Sequence, residues 1–190
     1  MGTHVIHFYG PITPGSVQEL RNVTLAAIHQ QQQAASEILL LLSSEGGNIT
    51  AGFTAYHFLQ SLPVPLTIHN TGNVESMGVI MLLAGTTRLS VACGKFAIHA
   101  MHWGFGNAPV DHNRLLEYGD SLNFDLERYS QIFKERTSGA QKPIDVKEHL
   151  TGRANIFGAT DALQAGLITE IGTPNIPHGA IHWWPQVVGI

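Results

Sequence analysis

Three short stretches of this 190-residue chain carry side chains suited to acyl transfer. A glycine pair follows an aliphatic run in Ser44-Glu45-Gly46-Gly47-Asn48. A serine opens an apolar segment in Val74-Glu75-Ser76-Met77-Gly78, and a histidine closes Phe96-Ala97-Ile98-His99. A serine hydroxyl is a poor nucleophile at neutral pH and needs a base within hydrogen-bond reach, the task His99 would perform for Ser76. Glycines at 46 and 47 free the backbone to turn sharply and leave amides unobstructed, as an oxyanion requires. With Ser76 at the start of a helix, the amide of Met77 would point at an incoming carbonyl oxygen.

Taken singly, each stretch has a plainer reading: a strand-to-helix loop for Gly46-Gly47, an N-cap for Ser76, a structural imidazole for His99. His102 follows His99 by three residues, but no third ligand accompanies the pair, so no metal is expected. Position 74 is Val, which disfavours the Gly-x-Ser-x-Gly elbow of α/β-hydrolases.

Strands and helices must alternate to bring these stretches together. His4 to Tyr9 alternates as a half-buried strand, and Thr13-Pro14 opens a helix through Val17, Leu20, Val23, Leu25 and Ile28, with the glutamines at 30–33 as its solvated end. Ile38 to Leu42 reads as a strand buried on both faces. A helix from about Thr50 to Leu62 follows, then a strand from Leu66 to His69 and a buried helix from Met77 to Ala84. Apolar stretches run from Thr87 to Cys93 and from Lys95 to His99. A long amphipathic helix runs from Asp111 to about Thr137, with Leu115, Leu122, Leu126, Tyr129 and Phe133 at helical spacing. It either projects as an arm or packs on its own sheet. Thr160 to Ala165 is a short helix with Gly166 as its C-cap, and Leu167 to Ile171 a last strand; the tail through Trp183, Trp184 and Pro185 carries no legible motif. The pattern is α/β, stacked βαβ units with right-handed crossovers.

Composition narrows the classes further. Hydrophobic residues make up 44% and charged residues 13%, low in charge for a soluble monomer, so apolar surface is expected to meet another subunit. A net charge of −4 without a basic block argues against nucleic acid and anionic membranes. No export leader and no run of membrane-spanning length is visible, so a cytoplasmic setting is expected. The lone Cys93 lies in an apolar run, where a buried inert thiol is the default.

Together these residues amount to a resemblance. Leu42-Ser43-Ser44-Glu45-Gly46-Gly47-Asn48-Ile49-Thr50-Ala51-Gly52 resembles the N-S-P-G-G-S-V-x-A-G segment of the Clp protease proteolytic subunits, and Glu75-Ser76-Met77-Gly78 resembles their A-S-M-G. Ala97-Ile98-His99 falls where that family has M-I-H, and Ala159 to Ile168 is similar to its S-A-x-E-A-x-x-Y-G-L-[IV] close. The resemblance implies one ClpP-like domain across 1–190, related to the crotonases, with a handle-like arm around 100–145. It implies heptameric rings stacked around a chamber, and a cofactor-free serine endopeptidase acting on peptides or unfolded chains. Carried over by position, Ser76 attacks, His99 shuttles the proton, and the amides of Gly47 and Met77 hold the oxyanion. Peptides would lie extended near Gly47 and the segment after His99, read through main-chain pairing.

The chain departs from the family in three respects. Thr151-Gly152-Arg153-Ala154-Asn155 has Ala154 where the family's triad aspartate stands; a one-residue shift would bring in Asn155, whose amide oxygen could orient the imidazole without charge. Loss of the third triad member costs about 10^4 in kcat. Glu45 and Glu75 add negative charge near the oxyanion region. The chain also begins almost at its first strand, without the family's N-terminal pore loops, which leaves a Clp-type ATPase partner open. Two other functions compete with the peptidase: a non-catalytic ring subunit, suggested by Ala154, and a crotonase-like acyl-CoA enzyme, disfavoured by the absence of a basic cluster for the CoA phosphates. A Ser-Lys dyad is less favoured still, since Lys95 is the sole lysine nearby before the long helix and nothing places it at Ser76.

Overall fold

A computed structural model describes residues 2–102, 104 and 109–185. Its elements are β1 (Gly2–Tyr9), α1 (Pro14–Ile28), β2 (Ala35–Ser44), α2 (Ile49–Gln60), β3 (Leu66–Glu75), α3 (Met77–Leu83), β4 (Thr87–Ser90) and β5 (Lys95–Ile98). They continue with α4 (His112–Arg136), α5 (Val146–Thr151), β6 (Asn155–Gly158), α6 (Ala159–Gln164), β7 (Glu170–Ile171) and β8 (Ile181–Trp183). The α/β reading holds. In α1 the Thr13 side chain accepts from the Ser16 amide and Ser16 returns a bond to the Thr13 amide, a reciprocal cap that starts the helix where Thr13-Pro14 predicts it. Its buried face is Val17, Leu20, Thr24 and Ala27; Leu25 turns to solvent, because its place in the helix turn, and not its hydrophobicity, decides which face it joins.

Strands β1, β2 and β3 pair in parallel, with the aliphatic run of β2 at the centre. The sheet order is β6-β5-β3-β2-β1-β8, and it forks at β3: Thr67–Asn70 pair with β4, while Asn73–Glu75 pair with β5. Asn70, fully buried, holds the branch point. Its carbonyl accepts the Val91 amide at 3.0 Å and its side-chain oxygen the Gly72 amide at 2.9 Å. Asn70→Ala strands a buried amide at the fork and is expected to cost about 1–3 kcal/mol. Thermal melting of the variant checks this, and an unchanged transition would remove Asn70 from the account.

Two clamps fix the far end of the buried helix α3. Arg136 donates to the carbonyls of Leu83 and Gly85, and Arg88 donates to those of Gly85, Gly166, Leu167 and Arg136. Cations at a helix C-terminus satisfy carbonyls that have no intrahelical partner and oppose the helix dipole. Burial lowers the Arg88 pKa, with the charge of Arg136 adding to the effect.

In α4 the amino-terminal half is exposed, Leu115, Leu116 and Phe124 included, whereas Tyr129, Ile132 and Phe133 are buried against the body. The carboxyl-terminal half of the helix thus packs on the body, and the amino-terminal half is exposed. Three expectations change. Cys93 is exposed, because the strand ends at Ser90 and Val91–Gly94 is the turn into β5. The last strand shrinks to Glu170–Ile171, although Leu167 and Ile168 stay buried in the preceding turn. The tail forms β8, parallel to β1, with Trp183 Nε1 donating to His4 Nδ1 at 2.9 Å.

Strand β8 is only three residues long, so side chains must help hold it. His182 Nδ1 lies 2.9 Å from His7 Nε2, a contact that needs one shared proton, and Trp184 stacks on His7 at 4.7 Å. Burial, and then the charge of His182, lower the His7 pKa below its ordinary 6.5. A base with a lowered native pKa holds fewer protons docked than free. Docking is therefore full above 6.5 and is lost as pH falls through the lowered value. Protection factors at Ile181–Trp183, corrected for the pH dependence of intrinsic exchange, should fall on going from about pH 7.5 to about pH 5, and His7→Phe should flatten that dependence.

Candidate active site

Strand β3 ends at Glu75 and α3 begins at Met77, so Ser76 alone makes the turn. It does so at φ 53° and ψ −123°, and it is the one non-glycine residue with positive φ among those described. Such a conformation costs about 1–3 kcal/mol and persists only where its surroundings impose it. Here the Ser76 amide donates to Ala97 O at 2.8 Å, and the Ser76 carbonyl accepts from Val79 N at 3.0 Å and from Tyr129 Oη at 3.1 Å. Burial pushes the Tyr129 pKa far up, which keeps its hydroxyl a neutral donor. The Ser76 side chain makes no capping bond, so the N-cap reading fails and the hydroxyl is left to the cleft in front of it.

The glycine pair closes over this elbow. Gly46 has φ +87°, and a Cβ on it would sit 2.7 Å from both Glu75 O and Ser76 Cβ. Gly47 has φ +145°, and a Cβ there would lie 2.3 Å from Ile12 O. Ile12 takes its two backbone bonds from the neighbours of Gly47: Ile12 N donates to Gly46 O at 2.7 Å and Asn48 N to Ile12 O at 2.8 Å. The Gly46 amide is spent on Ser44 Oγ at 3.1 Å. Among the described residues, neither the Gly47 amide, turned away from Ile12, nor the Met77 amide in the first turn of α3 has a hydrogen-bond partner. Two free donors beside a free hydroxyl are the parts an oxyanion site needs.

His99 joins them. A cleft of about 340 Å³ is lined by Glu45, Gly47, Ser76, Met77, His99 and His102, with Ile49, Met101, Tyr129 and Leu150 supplying its apolar wall. His99 Nδ1 lies 3.0 Å from Ala100 O. A carbonyl can only accept, so Nδ1 carries the proton and Nε2 keeps its lone pair. His102 is exposed, its ring 6.1 Å from that of His99, and among the described residues no group of three potential metal ligands occurs.

Asn155 is placed elsewhere. In the antiparallel β5–β6 ladder Ile98 is opposite Asn155, and directly opposed residues share a face of the sheet. Successive residues alternate faces, so Asn155 sides with Ile98 and Phe96, away from His99. Its Nδ2 lies 3.3 Å from His149 Nε2. One step past the ladder's end, the position opposite His99 is Ala154. Of the two acidic neighbours, Glu75 is neutralised by Lys95 Nζ at 2.7 Å. Glu45 has no cation within ion-pair distance among the described residues.

The sequence did not point to Tyr129 as the support of the Ser76 carbonyl or to Ala100 O as the partner of the histidine. Tyr129 reads as one more apolar residue at helical spacing; the available signal is that a buried tyrosine needs an acceptor. The Ala100 carbonyl leaves no trace in residue type.

A parallel βαβ sheet whose third strand ends in a strained serine, beside two free amides and a histidine, defines an α/β protein with a serine-hydrolase type of site. The Clp protease family model matches residues 2–175, nearly the whole chain, and the chain belongs to that family. The ATP-dependent Clp protease proteolytic subunit 2 of Thermobifida fusca (strain YX) is 29% identical over 141 residues, 72% of this chain and 66% of that relative's length. The matched part is thus just under two thirds of the relative. A solved structure of a ClpP1 mutant from Listeria monocytogenes superposes with a TM-score of 0.74 at 19% identity, covering 90% of this chain and 92% of that one, a likeness of fold. Strand β8 lies beyond the span of the family match.

Proposed function

We propose that this chain is a serine endopeptidase that cleaves peptides or unfolded chains through an acyl-enzyme. The observation that carries the reading is the strained Ser76 elbow, its hydroxyl uncapped, facing two unengaged amides with His99 in the same cleft. Ser76 Oγ attacks the peptide carbonyl and passes its proton to His99 Nε2; the amides of Gly47 and Met77 hold the oxyanion; the imidazolium returns the proton to the departing amine. Water then repeats the sequence to release the acyl group. Ala100 O fixes the tautomer that leaves Nε2 basic, but a neutral carbonyl stabilises the imidazolium less than a carboxylate does, so turnover is slow.

The family, and apolar side chains exposed on α4 and on the edge strand β6, Leu115, Leu116, Phe124 and Ile156, support assembly into a ring of identical subunits, heptameric by resemblance. No helix among the described residues is long and apolar enough to cross a membrane, in keeping with a cytoplasmic ring. A second reading, a ring subunit without catalysis, is favoured by Ala154, which carries no acid where the resemblance would place one, just past the end of the β5–β6 ladder. Intact-mass analysis of the assembled protein after fluorophosphonate or β-lactone treatment separates the two. One adduct per chain, mapping to Ser76, is expected; assembled protein without an adduct would establish the second reading.

A further inference from the structure

We infer that Glu45 makes this site select substrates with a lysine or arginine within two residues of the scissile bond. The inference rests on the peptidase reading and deepens it. Glu45 lines the catalytic cleft, and it also lines a second, polar groove of about 460 Å³ formed with Tyr9, Gly10, Ser43, Thr71 and Asn73 at the carboxyl ends of β1 and β2 and in the middle of β3. An extended peptide running from the cleft into that groove must pass this carboxylate.

Among the residues lining the cleft and the groove, Glu45 is the one carboxylate, and no lysine or arginine lines either. Glu75, the other acid near the elbow, is cancelled by Lys95, whereas Glu45 is solvent-exposed and has no cation within ion-pair distance among the described residues. Its backbone is fixed on both sides, by the buried Ser44 and by Gly46, whose amide is bonded to Ser44 Oγ and whose carbonyl accepts from Ile12 N. The Glu45 backbone therefore keeps a fixed place relative to the Gly47 amide, two residues on, and its carboxylate stays within one side chain's reach of it. A cationic substrate side chain gains an ion pair there without displacing one the protein already makes. An acidic side chain at the same place meets like charge.

The test is a fluorogenic peptide panel in which lysine, norleucine and glutamate are scanned through two positions on each side of the cleaved bond, run on wild type, Glu45→Gln and Glu45→Lys. A fluorophosphonate titration of Ser76 in each variant serves as the count of working sites. At one position wild type should prefer lysine over norleucine by about 5-fold in kcat/KM at low salt, the size of a partly exposed ion pair. That ratio should fall towards one in Glu45→Gln and at high salt, and Glu45→Lys should favour glutamate instead. Uniform ratios across the panel, or a lysine preference that survives Glu45→Gln, overturn the inference while leaving the peptidase reading intact. Absence of both cleavage and Ser76 labelling overturns that reading, and this inference with it.

Discussion

Ser76→Gly should abolish acylation and at the same time make the protein more stable. Because the third triad member is already absent and triad losses are not additive, removing the nucleophile is expected to lower kcat by about a further 10^2-fold, the remainder coming from the oxyanion donors and substrate binding. Ser76 holds φ 53°, ψ −123°, which glycine adopts without a Cβ penalty, so the substitution returns about 1 kcal/mol of backbone strain after its own entropic cost, or about 2–4 °C in Tm for a chain of this size. Ser76→Ala is the control. It removes the hydroxyl equally but keeps the Cβ, so it should lose activity without the gain in Tm. An adduct that persists in either variant would place the nucleophile elsewhere, and equal melting of the two would mean that the elbow stores no strain. A stability gain bought with lost function is what a site strained for catalysis predicts.

The second large effect runs the other way. Ala154→Asp is expected to raise kcat by about 10^2- to 10^4-fold, because carrying the Ile98–Asn155 register one residue further sets a carboxylate across from His99. That charge favours the imidazolium, so less acid is needed to protonate the base: the loss of activity on acidification should set in at a higher pH than in wild type. Asn155→Asp, one residue along and on the opposite face, should change the rate by less than about 3-fold, since its side chain lies with His149. Steady-state rates and pH–rate profiles of the two variants decide the matter. Acceleration by Asn155→Asp instead would mean that the β5–β6 register is not the one that operates in the working site.

Much of the scaffold could be read from the chain. The aliphatic run before Gly46-Gly47 is a strand because continuous apolar residues of that length need cover on both faces, and Thr13-Pro14 starts a helix because its capping partners lie three residues apart. Both are local facts. Missed elements were those whose reason is distant: α5 and β6 carry too little periodic signal over six and four residues, and β8 exists through its pairing with β1 and through imidazole and indole contacts made some 175 residues away in sequence. Cys93 was misjudged for the opposite cause. Its apolar neighbours read as a strand, but the fork at Asn70 ends β4 at Ser90 and sends the chain through an exposed turn.

For the site the same division applies. The sequence by itself determined which groups are available, a serine, a histidine and a glycine pair, along with their order and the absence of an acid at 154, because these are matters of residue type and spacing. Tertiary structure alone decided what state those groups are in. The positive φ of Ser76 comes from β3, α3, Ala97 and Tyr129 meeting at one residue; the freedom of the Gly47 amide comes from Ile12 bonding its two neighbours, and that of the Met77 amide from its place in the first turn of α3; the separation of Asn155 from His99 comes from strand register. Each depends on backbone hydrogen bonds between segments far apart in the chain, and such bonds are nearly indifferent to side-chain identity, so residue type records almost nothing of them.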